Sequence, residues 1–575
     1  MPFRHFVSSF LPLAVITVAA LGSCNTSAQT SDVVDGRLTE GKLFGEYLAG
    51  TYANYLDDAQ ARSSYYAKAY SRLPENVNLG RRAVTSALTA GDIKLAYTLA
   101  AQVNKADEDE PMADAVLGAK AMAAGKYKRS LKSLDVQTAD LTVSIMMHLI
   151  KGWAQMGAKD VEAARKTFKN LPGGGYFTRF GLLQTAELEI QQGEFEAAHD
   201  ALVELEAQGT RTLDLEMHLT KARLLCAKGD LDGALKMLEA YSADNGSFET
   251  GPVRAAIEQL KTGRPLDHKF TPQELASRAL TQPAYGFFAQ NRALDAAEVF
   301  LRIALTLDPN YHKGKLWTGD VLAAYDRNEE ALAFYDQVPL SSPYYVSSRL
   351  SEGYLYVRHD EDEKALSVFE EVNESHPSFV TRDALGRAHL SEENYEAAIP
   401  IYEALVASLT EDELSEDPQA LYLRGICYER VGEWEKAVVD FQRVLAVKPN
   451  DADALNYLGY TWVDRGENLE KAFAMIRKAV ELEPSSGAIV DSLGWAHYKL
   501  GQYDEAKENL EKAVVLSPSS ATIIDHLGDV YWKLGRKNEA GYQWERALNY
   551  DPTDKEREDI AAKLKGGLSA VQPAP

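Results

Sequence analysis

The sequence predicts an all-α fold, a right-handed solenoid of about 12 to 14 helix pairs closed by a C-terminal capping helix. Three observations support this prediction. A unit of about 34 residues recurs four times in succession over residues 418–552. A weaker form of the same pattern continues through most of the remaining chain. The 575 residues are 45% hydrophobic and include only 21 prolines, a composition typical of a globular or repeat protein with several cores.

The four units share residues at fixed positions. Each has a first glycine, a large ring three residues later, an alanine and a closing proline. The glycines are Gly425, Gly459, Gly494 and Gly528, the rings Tyr428, Trp462, His497 and Tyr531, the alanines Ala437, Ala472, Ala506 and Ala540, and the prolines Pro449, Pro484, Pro518 and Pro552. Glycine and alanine let two helices approach closely, and proline ends the second helix because it cannot continue it.

This arrangement resembles the tetratricopeptide repeat, W-x2-L-G-x2-Y followed by alanine and proline. The resemblance implies stacked helix pairs whose first helices line a concave binding face. With the weaker copies included, the pattern predicts a degenerate N-terminal array at residues 42–262 and a C-terminal array at 284–552. Between them, the Gly263-Arg264-Pro265 and Thr271-Pro272 segments predict a hinge or irregular linker at 263–283. Residues 553–575 predict a capping helix and a disordered tail.

Residues 1–23 predict an export signal, because a basic segment precedes an apolar run from Phe10 to Leu21 that is too short to span a bilayer comfortably. The run ends in Leu21-Gly22-Ser23-Cys24, which resembles a bacterial lipobox and predicts acylation of Cys24. Ordinary cleavage after Ala28 is the alternative. Polar residues follow, and residues 24–41 are predicted to form a flexible tether.

The net charge predicts which partners the chain avoids. The 61 basic and 85 acidic residues give a net charge of −24, which repels nucleic acids and anionic membrane surfaces. We therefore expect no nucleic-acid partner, and membrane contact only through the lipid anchor. Asn25, directly after the cysteine, resembles the sorting pattern of an outer-membrane lipoprotein facing the periplasm. A soluble periplasmic protein is the alternative.

Motifs for catalysis or metal binding do not occur. The sequence contains no His-Glu-x-x-His, no Cys-x-x-Cys and no Gly-x-Ser-x-Gly. Cys226 and Cys427 lie in distant repeats and are predicted to be buried apolar filler rather than a disulfide. We therefore predict a protein that is not an enzyme and has no catalytic residue, metal or cofactor.

The candidate binding site is the groove formed by the first helices of the last four units. Its predicted lining comprises Tyr422, Asn456, Tyr460, Asp491, Trp495, Tyr498, Asp525, Asp529 and Trp532. Carboxylates beside aromatic rings favour a protein or peptide partner with basic or apolar side chains, through ion pairs, cation–π contacts and ring burial. The alternative is that several of these rings only pack between repeats.

The repeats also carry a narrower resemblance. Leu455-Asn456-Tyr457-Leu458-Gly459-Tyr460, with Val490 to Trp495 and Asp525 to Asp529, is similar to proteobacterial envelope tetratricopeptide lipoproteins. Some members of that family are outer-membrane adaptors of a periplasmic C-terminal processing protease. The resemblance implies a non-catalytic scaffold with such a protease as a possible partner. A docking component of a secretion or assembly machine, or an enzyme with an unrecognised site, is the alternative.

Overall fold

The computed structural model describes residues 30–107, 109–209, 213–244, 251–289 and 293–570. The predicted export signal at 1–23, the predicted acylation site Cys24 and residues 571–575 lie outside the described residues. Within these ranges the chain forms 31 α-helices, one 3-10 turn and no strand. None of the helices in this part of the chain has the length and apolar character needed to cross a membrane.

The chain divides into two compact units. Unit N contains the described residues up to Leu213 together with Lys269–Gly314, and unit C contains Asp214–His268 and the residues from Lys315 onward. The helices of unit N are α1 (Thr30–Tyr55), α2 (Ala59–Arg72), α3 (Val77–Thr89), α4 (Ile93–Ala106), α5 (Pro111–Ala123), α6 (Tyr127–Ser133), α7 (Leu141–Gly157), α8 (Val161–Lys169), α9 (Tyr176–Gln192), α10 (Phe195–Ala207), α14 (Pro272–Ala289) and α15 (Leu294–Leu307).

Unit C holds the regular repeats, and α16 (His312–Ala324) contains the boundary at Gly314. Its helices are α11 (Asp214–Ala227), α12 (Leu231–Asp244), α13 (Gly251–Lys261), α17 (Asn328–Tyr335), α18 (Tyr345–Arg358), α19 (Asp362–Ser375), α20 (Phe379–Ser391), α21 (Tyr395–Ala407), α22 (Glu411–Glu416), α23 (Gln419–Arg430), α24 (Trp434–Val447), α25 (Ala452–Arg465), α26 (Leu469–Leu482), α27 (Gly487–Lys499), α28 (Tyr503–Leu516), α29 (Ala521–Lys533), α30 (Lys537–Ala547) and α31 (Asp554–Gly566).

The predicted solenoid of helix pairs is confirmed. In the described part of the chain, α13, α22 and α31 stand outside the pairing, and the other 28 helices form 14 consecutive pairs. Within a pair, a glycine of the first helix faces a bulky side chain of the second. A Cβ added at Gly118 would lie 2.7 Å from Cγ of Leu134, and one at Gly494 would lie 2.6 Å from Cγ of Leu510. The small residue therefore recurs with the repeat because only glycine fits these contacts.

Polar caps and glycine turns define the ends of these helices. Asp58, Asn76 and Asp92 each accept a hydrogen bond from the backbone N–H three residues ahead, at the starts of α2, α3 and α4. The turn before α4 needs a left-handed residue, and Gly91 adopts it with φ of 76°. Cap, turn and close-approach residues thus fix each helix pair locally.

The predicted flexible tether at residues 24–41 is helical in its described part, and residues 24–29 lie outside the described residues. The helix α1 begins at Thr30, so residues 30–41 are helical. No proline interrupts this stretch, and extending an existing helix fixes few additional degrees of freedom per residue. The helix therefore propagates backward from the part of α1 that packs on α2.

The predicted linker at 263–283 is shorter than expected, because α13 ends at Lys261 and α14 begins at Pro272. Thr271 and Glu274 cap α14 reciprocally. The Glu274 carboxylate accepts from the Thr271 N–H at 2.7 Å, and Thr271 Oγ1 accepts from the Glu274 N–H at 3.3 Å. Pro272 occupies the first helical position, where its missing N–H costs nothing. The proline that interrupts the sequence rhythm therefore marks a helix start.

The helices α14 and α15 belong to unit N and not to the predicted C-terminal array at 284–552. α14 contacts α7 and α9, while α15 contacts α3 and α5. These four are first helices of their pairs. Leu280 and Phe300 are fully buried, and the Tyr127 hydroxyl donates to Gln273 Oε1 at 3.1 Å. Unit N therefore covers its own inner face with one of its helix pairs.

The predicted capping helix is confirmed as α31. Ile560 of α31 is fully buried in a cluster with Leu527 and Trp544 of the last helix pair. The tail predicted as disordered from Gly566 is partly ordered, because Gly567–Ala570 forms a 3-10 turn against Trp532. The last repeat is thus closed by a helix and a turn.

Candidate partner-binding groove of unit C

The candidate groove is the inner face formed by the first helices α23, α25, α27 and α29. Their orientation is fixed by the glycine contacts of the repeat. A Cβ added at Gly459 would lie 2.7 Å from Ile476, and one at Gly528 would lie 2.5 Å from Trp544. Because each first helix is held at one rotation, equivalent positions of successive repeats present their side chains on the same face.

The nine predicted groove residues differ in exposure. Seven are partly exposed, whereas Asp491 and Asp529 are buried at 6% and 5% exposure. The partly exposed residues are Tyr422, Asn456, Tyr460, Trp495, Tyr498, Asp525 and Trp532. The two carboxylates that were expected to meet a basic partner are thus the most buried members of the set.

Asp491 forms an ion pair with His526 of the next repeat. His526 Nδ1 lies 3.0 Å from Asp491 Oδ1, and His526 is 8% exposed. Burial lowers the pKa of His526, but the carboxylate of Asp491 and two carboxylates on its own helix outweigh burial and hold that pKa above its ordinary value. The pair therefore favours the protonated form of the buried imidazole.

Trp495 lies inside a column of three stacked rings. Its ring stacks on Tyr498 at a centroid distance of 4.6 Å and on His526 at 4.0 Å, with interplanar angles of 12° and 17°. Both ring faces are therefore covered within the protein. The predicted groove residue Trp495 thus packs against rings of its own repeat and of the next one, as the packing alternative expects.

Asp525 and Asp529 bind a cation from the capping helix. Lys563 Nζ lies 2.7 Å from Asp525 Oδ2 and 2.8 Å from Asp529, and Lys563 is 7% exposed. Asp529 also accepts from Trp544 Nε1 at 2.9 Å. Burial and the neighbouring Asp529 raise the pKa of Asp525 to about 6, against the lowering effect of Lys563. Lys563 thus forms the ion pairs that the sequence predicts for a basic partner.

Trp532 contributes to the same closed end. Its ring lies 5.4 Å from that of Trp544 and contacts Gly567 of the terminal turn. Lys537 Nζ lies 5.1 Å from the Trp532 ring centroid. Trp532 therefore packs within the protein, as the alternative for the predicted groove rings expects. The accessible groove lies on the preceding repeats.

Three of the nine predicted groove residues each carry a polar atom that is buried without a hydrogen-bond partner among the described residues. They are Asn456 Oδ1, Trp495 Nε1 and Asp525 Oδ1. Leaving such an atom unsatisfied costs about 1–3 kcal/mol, so each favours a ligand that completes it. Asn456 supplies an acceptor on α25, and Trp495 supplies a donor on α27.

The tyrosines form the apolar wall beside these atoms. The Tyr422 ring lies 5.8 Å from that of Tyr457 and 6.1 Å from that of Phe441, both edge-on. Burial raises the pKa of Tyr422 and of Tyr460 well above the ordinary tyrosine range. Both hydroxyls are therefore neutral at physiological pH, and this part of the groove attracts partners by ring burial and hydrogen bonding.

Sequence reasoning missed the partners of the carboxylates. The sequence pattern predicts neither His526 nor Lys563 as a partner of a groove carboxylate. Each lies about one repeat after its carboxylate, Asp491 or Asp529. A comparison of equivalent positions in successive repeats would have found both pairs.

The described part of the chain shows neither a metal-binding cluster nor a reactive thiol. No group of three or more histidine, cysteine, aspartate or glutamate side chains there has the geometry to hold a metal ion. Cys226 and Cys427 are free and buried, and burial raises the pKa of Cys427 to about 12. A thiol with that pKa is unreactive at neutral pH.

Comparisons with known proteins agree with the repeat pattern. Tetratricopeptide repeat profiles match residues 381–416 and 418–451, and a TPR repeat profile matches residues 494–535. Over 95 residues the chain is 38% identical to the TPR repeat-containing protein PA4667 of Pseudomonas aeruginosa, a match that spans 16% of this chain and 16% of that relative.

Two solved structures are among the matches. A tetratricopeptide repeat protein from Parabacteroides merdae is 17% identical, with 50% of this chain and 97% of that chain covered and a TM-score of 0.36. The APC/C hetero-tetramer Cut9–Hcn1 is 15% identical, with 91% and 95% covered and a TM-score of 0.36. The three repeat profiles, together with the helix pairs and their glycine contacts, identify this chain as a tetratricopeptide repeat protein.

Proposed function

We propose that this chain is a non-catalytic scaffold or adaptor that binds an extended segment of a protein partner along α23, α25 and α27 of unit C. Tetratricopeptide repeats generally serve protein–protein interaction, and the groove supports that role here. The observation that carries the proposal is the pair of buried, unpartnered atoms, Asn456 Oδ1 and Trp495 Nε1. An extended peptide offers an N–H and a C=O at every residue and can complete both.

The partner segment is mainly apolar rather than basic. Asp491 and Asp529 are neutralised by His526 and Lys563, so a basic side chain would have to displace an existing ion pair. The neutral rings of the groove instead gain free energy by burying apolar surface. The sequence predicts a basic or apolar partner, and the ion pairs within the groove favour an apolar one.

We also propose a location and a partner. The lipobox-like Leu21-Gly22-Ser23-Cys24 supports an exported protein acylated on Cys24, anchored in the outer membrane and facing the periplasm. Acyl chains add membrane affinity of about 0.8 kcal/mol per buried CH₂. The resemblance to envelope tetratricopeptide lipoproteins supports an adaptor role for a periplasmic C-terminal processing protease, which would be one partner.

The groove is tested with peptides selected from a random-peptide phage library on the full chain. Trp495→Phe removes the indole N–H while keeping an aromatic ring, and Asn456→Ala removes the amide. Each should weaken a selected peptide by about fivefold, since a net hydrogen bond contributes about 1 kcal/mol. Tyr542→Ala is the control, because Tyr542 is 69% exposed on the second helix α30, outside the groove.

Affinity measured by fluorescence polarisation decides the outcome. Selected peptides that bind both groove variants as tightly as the Tyr542→Ala control would show that recognition does not use these atoms, and would move the binding site out of this groove. Melting curves of the variants separate a loss of contact from a loss of fold.

A further inference from the structure

A cavity of about 480 Å³ in unit N is not used by the proposed scaffold function. Residues of α4, α5 and α6 line it. The helix α6 has only 7 residues, whereas the equivalent second helix α4 has 14. The short α6 leaves the space beside α4 unfilled, and residues of α5 form the floor between them.

One carboxylate oxygen at the floor of this cavity, on Asp114, has no hydrogen-bond partner among the described residues. Asp114 on α5 is 2% exposed and lines the cavity. Its Oδ1 accepts from Asn104 Nδ2 at 2.9 Å, but its Oδ2 is buried without a hydrogen-bond partner among the described residues. Burial, followed by three neighbouring carboxylates, raises the pKa of Asp114 to about 7. A ligand that donates to Oδ2 would remove the cost of leaving this atom unpaired.

The rim of the cavity has the opposite charge. Lys120 on α5, Lys126 before α6, and Arg129 and Lys132 on α6 all line the opening and are exposed. Four cations around one opening contrast with the net charge of −24 of the whole chain. The cavity is therefore dipolar, with an acid inside and cations at the mouth.

We propose that this cavity binds a short zwitterionic peptide, with the α-ammonium group against Asp114 and the terminal carboxylate against the basic rim. An ammonium group has three donors and no acceptor, which matches the unpaired Oδ2. A simple anion would meet the Asp114 carboxyl at the floor, and a simple cation would have to pass the rim. The cavity is larger than one amino acid, so the two charges lie on a peptide of a few residues.

Isothermal titration of the full chain with alanyl-alanine and with trialanine tests this class of ligand. We expect saturable binding of one of them, at least tenfold weaker binding of its N-acetyl form, which lacks the ammonium, and at least tenfold weaker binding of its amide, which lacks the carboxylate. No binding of either peptide at millimolar concentration overturns the proposal. Equal binding of the N-acetyl form also overturns it, since that result describes an anion site.

Protein variants locate the site. Asp114→Asn and Arg129→Glu should each weaken binding at least tenfold. Lys128→Glu is the matched control, because Lys128 is exposed on the same helix but does not line the cavity. An equal loss in Lys128→Glu and Arg129→Glu would show diffuse attraction and overturn the proposal. The blocked peptides need no variant, so the proposal stays falsifiable if Asp114→Asn fails to fold.

This inference is independent of the proposed scaffold function. The cavity lies in unit N, and the groove variants lie in unit C. Alanyl peptides that fail to bind leave the groove proposal untouched, and groove variants that retain their selected peptides leave the cavity proposal untouched.

Discussion

Replacing Lys563 by methionine tests whether the buried cation of the capping helix holds the end of unit C. Its Nζ lies 2.7 Å from Asp525 and 2.8 Å from Asp529, so Lys563→Met leaves two largely buried carboxylates without their cation. Removing one partner of a buried ion pair costs about 3–5 kcal/mol, because the remaining charge stays buried and uncompensated. Methionine fills a similar volume, so the cost is mainly electrostatic.

Hydrogen exchange is the suitable assay, since a chain of two units has no single unfolding free energy. Every 1.4 kcal/mol is a factor of about ten, so amides of α29 to α31 should exchange about two to four orders of magnitude faster. Lowering the pH should reduce the difference, because the unpaired carboxyls can then become neutral.

Lys555→Met is the matched control. Lys555 lies on the same helix α31 but is exposed, and exposed substitutions usually change stability by about 0.5 kcal/mol or less. If Lys563→Met exchanges no faster than Lys555→Met, the two carboxylates do not depend on Lys563, and the account of the closed groove end is wrong.

The remaining predictions concern the repeat contacts, the buried histidine and the anchor. Gly528→Ala should lower the melting temperature of unit C strongly, because its Cβ would lie 2.5 Å from Trp544, whereas Gly541→Ala on α30 meets nothing within 4 Å and should leave it unchanged or raise it. Because the pKa of His526 is raised, the stabilisation from its ion pair with Asp491 is complete below about pH 6.5 and is lost as pH rises through the folded pKa. Asp491→Asn should therefore flatten this part of the pH–stability curve. An unchanged curve would contradict the ion pair as the source of this pH dependence. Cys24→Ala should abolish incorporation of labelled fatty acid, and wild-type protein that incorporates none would exclude the anchor.

The helix pairs could be predicted because short-range sequence signals specify each pair and these signals recur in every repeat. Gly494 and Gly528 mark close approaches, and Pro518 ends the second helix between them. Each signal lies within one repeat, so four copies reinforce one another. The capping helix followed from the same logic, since the last repeat would otherwise leave an apolar face open.

The helix pair α14–α15 could not be placed from its sequence. Its start has an ordinary capping pair, Thr271 and Glu274, but a cap specifies only that a helix begins. The packing position of α14 depends on its contacts with α7 and α9. The helix α7 lies more than a hundred residues earlier in the chain. A repeat period describes contacts between neighbours and carries no information on a pair that returns to cover an earlier face.

The cations that pair with the groove carboxylates could not be predicted from single repeats. Within its own repeat, Asp529 cannot be distinguished from a carboxylate that is available to a partner. Its cation, Lys563, is 34 residues later, at the equivalent position of α31. The capping helix is therefore in register with the repeats and serves as the first helix of an incomplete further unit. It ends the array by placing a cation between Asp525 and Asp529, so the proposed peptide site lies on the preceding repeats, at Asn456 and Trp495.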